Sequence, residues 1–443
     1  MREMLLRIAL IFLTILAYTP SISWAKGVRI LLDAEVQTWL EELAAPLLKA
    51  SNIPYDSIHF HMIMDDDINA FATPGNRIFF NTGLILEASN TNEVRGVMAH
   101  EIAHIQAQHL FERYDDIATA RWSVLAGALV GLGAAAAGSP DAALAGILGG
   151  QAYGTGNLLR HSRTQEREAD NYAIQTLHKS GYSTAGMVNF FKKLRNNSLL
   201  TYNAPPPHLL THPLPAERLD ALKHRNKHEH DGLTHLDLED DHRFSRIQAK
   251  IYAFTHTPSQ TLRQYRGETT ADKLAQGLAY LYQGKFKEAV ERLRFLMDKN
   301  SDDPFLHELI GHISLDSGNL PQAEKAFASA LQLNKNIPLI RYHYARSLQA
   351  QGKYVQALPQ LQGVRYAMPT WPSVWYNLGT TFGKLEKLGE SHLSLAEYYY
   401  LKGDYPTSRQ QLELAKPYLD QNNKKLTAQK ANLIQALNKA EKE

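Results

Sequence analysis

A chain of 443 residues with 44% hydrophobic and 21% charged residues is globular and long enough for two domains. Its formal net charge of +2 argues against a nucleic-acid binder held by a broad basic surface. The absence of cysteine excludes disulfides, thiolate-bound metal and a thiol nucleophile, and leaves any metal to His, Asp and Glu.

Residues 1–25 combine a basic start (Arg2, Arg7), a short apolar run, "IALIFLTILAY", and small residues at Ser23 and Ala25. These are the parts of a secretory signal peptide, with cleavage expected after Ala25 and the periplasm as the expected compartment. The rival reading is an uncleaved anchor, for which the run is short of the about 20 residues that a span needs.

Residues 27–50 predict a helix, because apolar residues in "LLDAEVQTWLEELAAPLLKA" recur at helical spacing. Residues 58–85 predict strands: "IHFHMIM" alternates, and "NAFATPGNRIFFNTGLI" places a turn at Pro74-Gly75-Asn76. A helix carrying "VMAHEIAHIQAQH" follows. Asn90 and Glu93 have the spacing of a capping box, and Val94, Val97, Met98 and Ile105 form its apolar face.

Residues 123–152 are rich in Gly and Ala and are interrupted at Ser139-Pro140-Asp141, so each half is too short to span a bilayer. They predict a hairpin of close-packed helices; the alternative is a flap facing the membrane surface or the substrate. A further helix, "SRTQEREADNYAIQTLHKSGY", ends near Gly181. The proline-rich "APPPHLLTHPLPAERL" predicts a loop, and the polar, histidine-rich stretch 224–242 predicts an interdomain linker without regular ligand spacing.

The remainder is periodic. Gly284, Gly318 and Gly352 are 34 residues apart, and Ala289/Ala323/Ala357, Leu293/Phe327/Leu361 and Pro304/Pro338/Pro372 keep the same period. A 34-residue helix-turn-helix unit is that of the tetratricopeptide repeat, whose arrays present a concave face to extended peptides or partner proteins. Gly403 follows Gly352 by 51 residues, which predicts an irregular unit across 372–402.

Helix positions four apart differ by roughly 40°. His100 and His104 therefore share a face and can grip one metal ion, and imidazole suits Zn²⁺. Glu101 lies about 100° round, outside the ligands but within reach of a water on the metal, where a carboxylate can take a proton. His109 is about 140° off that face and reads as a structural or surface histidine. In "QEREAD", Glu166 and Asp170 share one helix face and Glu168 points away. One of the two can complete a His₂Glu site with an open fourth position, and the other can accept a hydrogen bond from a ligand histidine.

The segments "NAFATPGNRIFFNTGLI", "HEIAH", "SRTQEREAD" and "HPLPAERL" occur in the order of the HtpX and CAAX-prenyl-protease family of zinc metalloproteases, which residues 50–220 resemble. The resemblance implies an α+β zincin-like domain, mainly helical with a small sheet, before the all-α repeat solenoid. The expected boundaries are 26–223 for the protease, 224–265 for linker and connecting helix, and 266–443 for the repeats. It also implies one Zn²⁺ per chain on His100, His104 and Glu166, with Glu101 as general base and Asp170 behind a ligand.

His212, of the H-P motif, would cap the zinc at rest, with His208 as an alternative, and Arg218 would lie near the active site. An extended substrate would pair along Asn69–Thr73 or Arg77–Asn81. The segment 123–152 stands where membrane-embedded relatives carry spans. With the leader and the repeats, the resemblance implies an exported endopeptidase for misfolded or stalled outer-membrane proteins beside the β-barrel assembly machinery. The alternative is a chaperone or assembly adaptor in which the repeats carry the main role.

Overall fold

The computed structural model describes residues 29–73, 75–109, 163–200, 212, 216–227, 238–418 and 424–440. The expected signal peptide, the 123–152 hairpin and His208 lie outside these residues. No helix among the described residues is long and apolar enough to cross a membrane.

After β1 (Ile30–Leu31), α1 (Ala34–Ala50) begins later than its apolar pattern predicts. Asp33 sets the start by accepting the Val36 amide as N-cap. The strand region contains β2 (His59–Ile63), β3 (Ala70–Thr73) and β4 (Arg77–Asn81), then a short helix, α2 (Thr82–Glu87), where the β-prone pattern predicts more strand. The loop before β3 turns the chain there. The Thr82 hydroxyl donates to the Asp65 carbonyl and accepts the Asp65 amide, and a Cβ on Gly83 would lie 2.1 Å from the Asp66 carbonyl oxygen.

The sheet order is β1-β2-β4-β3, with β2 and β4 parallel and the other pairs antiparallel. β4 is therefore central and β3 is an edge. Gly75 and Asn76, both at positive φ, make the turn between them, as the sequence predicts.

One core joins sheet and helices. Phe60, Met62, Ile78 and Phe80 meet Trp39, Leu40 and Leu47 of α1 and Val97, Met98 and Ile102 of α3 (Thr91–Gln106). Burial of α3 on all sides removes His100 and Glu101 from solvent. Asn90 caps α3 by accepting the Glu93 amide, but the Glu93 carboxylate accepts the Ser89 amide at 2.8 Å, so the expected box is shifted by one residue. The next helix in the described chain, α4, spans 163–179. Against α5 (Ala185–Leu200), two glycines bring backbones together: a Cβ on Gly96 would lie 2.6 Å from the Met187 Cα, and one on Gly186 would lie 2.2 Å from the Asn92 carbonyl oxygen. This contact fixes the depth of the helix that carries His100.

α6 (Ala216–Lys227) precedes α7 (Leu238–Thr255), whose Phe244, Ile247 and Ile251 enter the same core. Buried charges tie α7 to the start of α1. The Lys250 ammonium lies 2.8 Å from Asp33 and 3.1 Å from Glu35, and Arg246 joins Glu35 at 2.6 Å and also pairs with Asp303. Asp303 caps the third helix of the repeats.

After α8 (Pro258–Gln264), the array runs through α9 (Thr270–Tyr282), α10 (Phe286–Lys299), α11 (Pro304–Asp316), α12 (Leu320–Leu333), α13 (Pro338–Ala350), α14 (Tyr354–Ala367), α15 (Pro372–Lys384) and α16 (Leu388–Leu401), ending in α17 (Tyr405–Ala415) and α18 (Lys424–Ala440). Gly284, Gly318 and Gly352 occupy the left-handed turn between paired helices. The proline series opens α11, α13 and α15. Small residues meet bulky ones across each pair: a Cβ on Gly277, Gly311 or Gly379 would fall 2.9, 2.7 or 2.8 Å from Leu293, Phe327 or Leu395. The unit at 372–402 is regular, contrary to the glycine count, because Glu386 takes the turn position at φ 58°. The period persists while its glycine does not.

Candidate metal centre

Three helices and a bend converge behind β3. α3 supplies His100, Glu101 and His104, α4 supplies Glu166 and Asp170, the bend supplies His212, and α6 supplies Arg218. All seven are at most 6% exposed. His100, His104, Glu166 and His212 each offer a ligand-type atom, and these atoms lie within 4.8 Å of one another.

The spacing tests whether a metal fits. His100 Nε2 and His104 Nε2 are 3.2 Å apart, and Glu166 Oε2 and Oε1 lie 3.3 and 3.4 Å from them respectively. A tetrahedron of bonds about 2.0–2.1 Å long has edges of roughly 3.3–3.4 Å. Two imidazole nitrogens and a carboxylate in that arrangement are a donor set for a divalent cation of the zinc type. His212 Nδ1 is 2.9 Å from Glu166 Oε1, and its Nε2 is 3.7 Å from Glu101 Oε1, so the ring stands between the two carboxylates.

The electrostatics follow from burial against pairing. Burial drives His104 well below its ordinary pKa, reinforced by His100 and His212. A neutral imidazole results, the form that binds metal. Burial opposes charge on His100, but Asp170 and Glu166 outweigh it and push its pKa up to about 10. A metal there would replace that proton. Burial also opposes charge on Glu166, yet His212, His100 and His104 hold its carboxyl well below the usual range. Glu101 differs: burial dominates and pushes its carboxyl up, although the Ala72 backbone amide of β3 and the neighbouring histidines oppose the shift.

Asp170 accepts from Arg218 through Nε at 2.8 Å and Nη2 at 2.9 Å, and its Oδ1 lies 3.2 Å from His100 Nδ1. Arg218 Nη1 also reaches Glu166 Oε2 at 2.7 Å. One guanidinium therefore holds both carboxylates of the E-x-x-x-D pair in register. The two carboxylates that share a helix face take different places: Glu166 turns to the histidine cluster and Asp170 to the back of His100. Of the two segments considered for substrate pairing, β3 is the edge and β4 is central.

His109 takes the structural rather than the surface place. It is 3% exposed, not at the surface, and its Nδ1 lies 3.1 Å from His104 Nδ1. α3 ends at Gln106, and Gln108 adopts φ 58°, so the chain turns back and the helical angle no longer applies. Glu168, which points away from the cluster as expected, lies 3.4 Å from His109 Nε2. The helix-ending left-handed residue carries no sequence signal here, since Gln is not a usual occupant.

Glu308, His312 and His343 also bring ligand-type atoms together, between α11 and α13. Lys250 and Arg346 set positive charge beside that group, which disfavours a cation.

Residues 32–226 match the model of peptidase family M48, and residues 274–336 and 314–378 match tetratricopeptide-repeat models. The chain is 26% identical to a beta-barrel assembly-enhancing protease of Escherichia coli K12, over 84% of this chain and 77% of that protein. It is equally 26% identical to the same-named protein of Yersinia pestis, over 77% and 71%. The metalloprotease LoiP of Escherichia coli K12 is 30% identical over 40% of this chain and 65% of its own length. The chain is accordingly a metalloprotease, with an M48 peptidase domain joined to a tetratricopeptide array.

Proposed function

We propose that the chain is an exported, zinc-dependent endopeptidase that hydrolyses misfolded or stalled outer-membrane β-barrel proteins in the periplasm. The observation that carries the enzymatic part is the convergence of His100, His104, Glu166 and His212 beside the buried Glu101. The substrate class rests on the names of the relatives that match along most of the chain.

In this reading His100, His104 and Glu166 hold the zinc. The metal, when bound, supplies Lewis acidity to the scissile carbonyl and to a water. Glu101 takes the proton of that water on a carboxylate oxygen and later returns it to the leaving amine. Burial raises its pKa toward the pH at which the proton must be exchanged. Asp170 Oδ1, 3.2 Å from His100 Nδ1, is placed to fix the tautomer that leaves Nε2 free for the metal. Arg218 holds Asp170 and Glu166 against each other. β3 receives the substrate as an added strand, next to the Ala72 amide that faces Glu101. An unfolded chain can be drawn out along an edge and a folded barrel cannot, which favours misfolded clients. The repeat array binds the client or the assembly machinery on its concave face.

The test uses a purified outer-membrane barrel protein, urea-unfolded and then diluted, and the same protein folded in detergent. Internal cleavage of the unfolded form alone, abolished by a chelator and restored by zinc, is the expected result. Cleavage that persists in chelator, or an intact unfolded substrate, contradicts it.

A further inference from the structure

We propose that His109 and Glu168 form a positioning relay that holds the metal-facing tautomer and orientation of His104. The inference rests on the metal reading of the site given above, and adds two residues that lie outside the four-residue group.

The ring geometry forces the assignment. His104 directs Nε2 toward His100 Nε2 and Glu166 Oε1, at 3.2 and 3.4 Å. A neutral imidazole that gives the Nε2 lone pair to a metal carries its proton on Nδ1. That Nδ1 is 3.1 Å from His109 Nδ1, which must then be bare in order to accept. The proton of a neutral His109 is thereby placed on Nε2, which faces Glu168 Oε2 at 3.4 Å. Each link permits one tautomer only, so a carboxylate at the far end sets which nitrogen of His104 is free.

The relay matches the support of the other histidine. His100 has Asp170 behind its Nδ1, and Asp170 is fixed by Arg218. Among the described residues His104 has no carboxylate in that place, and His109 extends the reach to one. The two supports come from one stretch of α4, since Glu168 and Asp170 flank Ala169. The left-handed Gln108 makes the second possible, because it brings His109 back over His104 where a continuing helix would carry it away.

Loss of such a partner typically weakens metal binding about 10–100-fold. The experiment measures zinc affinity of the full chain by competition with a chromophoric chelator, the visible spectrum of the cobalt-loaded protein, and the melting temperature of the metal-free protein. His109→Leu is expected to lose affinity within that range and to shift the cobalt bands. His109→Asn, whose amide oxygen can replace the accepting Nδ1, recovers most of both. Glu168→Leu shows a smaller loss and Glu168→Gln almost none, since a Gln oxygen still accepts. Wild-type affinity and spectrum in His109→Leu overturn the relay. Equal losses in His109→Leu and His109→Asn, with lowered melting temperatures, also overturn it by showing a packing role. A wild-type chain that binds no zinc overturns instead the metal reading beneath it.

Discussion

Glu101→Gln is expected to keep its zinc and lose peptide hydrolysis by about 10²–10⁴-fold, the range for removing a general acid–base group. The substitution preserves shape in a side chain with no exposure, so packing around it is retained. It removes the site that takes the proton, while the residues assigned to the metal remain. Burial pushes the Glu101 carboxyl above its ordinary value. The base works ionised, so wild-type activity should fall along an acid limb as pH drops through the Glu101 pKa of the zinc-loaded enzyme. The variant should lack that limb in whatever activity remains. Steady-state kinetics on a peptide, with metal content measured on the same samples, check both points. Undiminished cleavage would remove Glu101 from the mechanism. The variant also separates protease from chaperone or adaptor: full restoration of envelope integrity in cells by Glu101→Gln favours the repeats as the main agent, and partial restoration favours both roles.

His212→Ala is expected to raise kcat/KM. The His212 ring contacts Glu166 at 2.9 Å and approaches Glu101 to 3.7 Å, so it occupies the space between the two carboxylates that, in the proposed mechanism, a water and a scissile carbonyl enter. Productive binding then requires the ring to leave, and the apparent rate is lowered by the fraction of chains in the capped form. A resting population nine-tenths capped corresponds to a gain of about tenfold on removal. Zinc should stay bound, since His100, His104 and Glu166 remain. Unchanged or reduced activity, measured at saturating zinc, argues that His212 assists catalysis rather than restraining it.

The parts of the site that were legible in the sequence are those written in a single helix. His100 and His104, and Glu166 and Asp170, share faces by four-residue spacing, and both pairs converge in the fold. Which of the two carboxylates faces the histidine cluster was not legible from spacing alone. Arg218 contacts both, from a helix about 50 residues further on. The place of His212 came from the family resemblance, because a bend residue carries no periodicity. His109 keeps a structural place outside the four-residue group, but its contact with His104 has no signal in helical angles, because the helix ends before Gln108.

In the repeats, four coincident registers made the architecture plain. One substituted turn residue, Glu386, was enough to make a regular unit look irregular. The buried ionic junction of Asp33 and Glu35 with Arg246 and Lys250 had no sequence signature, since its partners are more than 200 residues apart. Helix α2 was hidden for a related reason: Thr82 and Gly83 bend the chain only because the 65–67 loop lies against them.

The most direct test of the metal centre is a crystal structure of the zinc-loaded chain, with anomalous diffraction recorded on both sides of the zinc edge. The expected result is one strong peak bonded to His100 Nε2, His104 Nε2 and a Glu166 oxygen, with His212 beside the remaining position. A peak bonded to Asp170 in place of Glu166, or zinc found only at the Glu308, His312 and His343 group, would contradict the account.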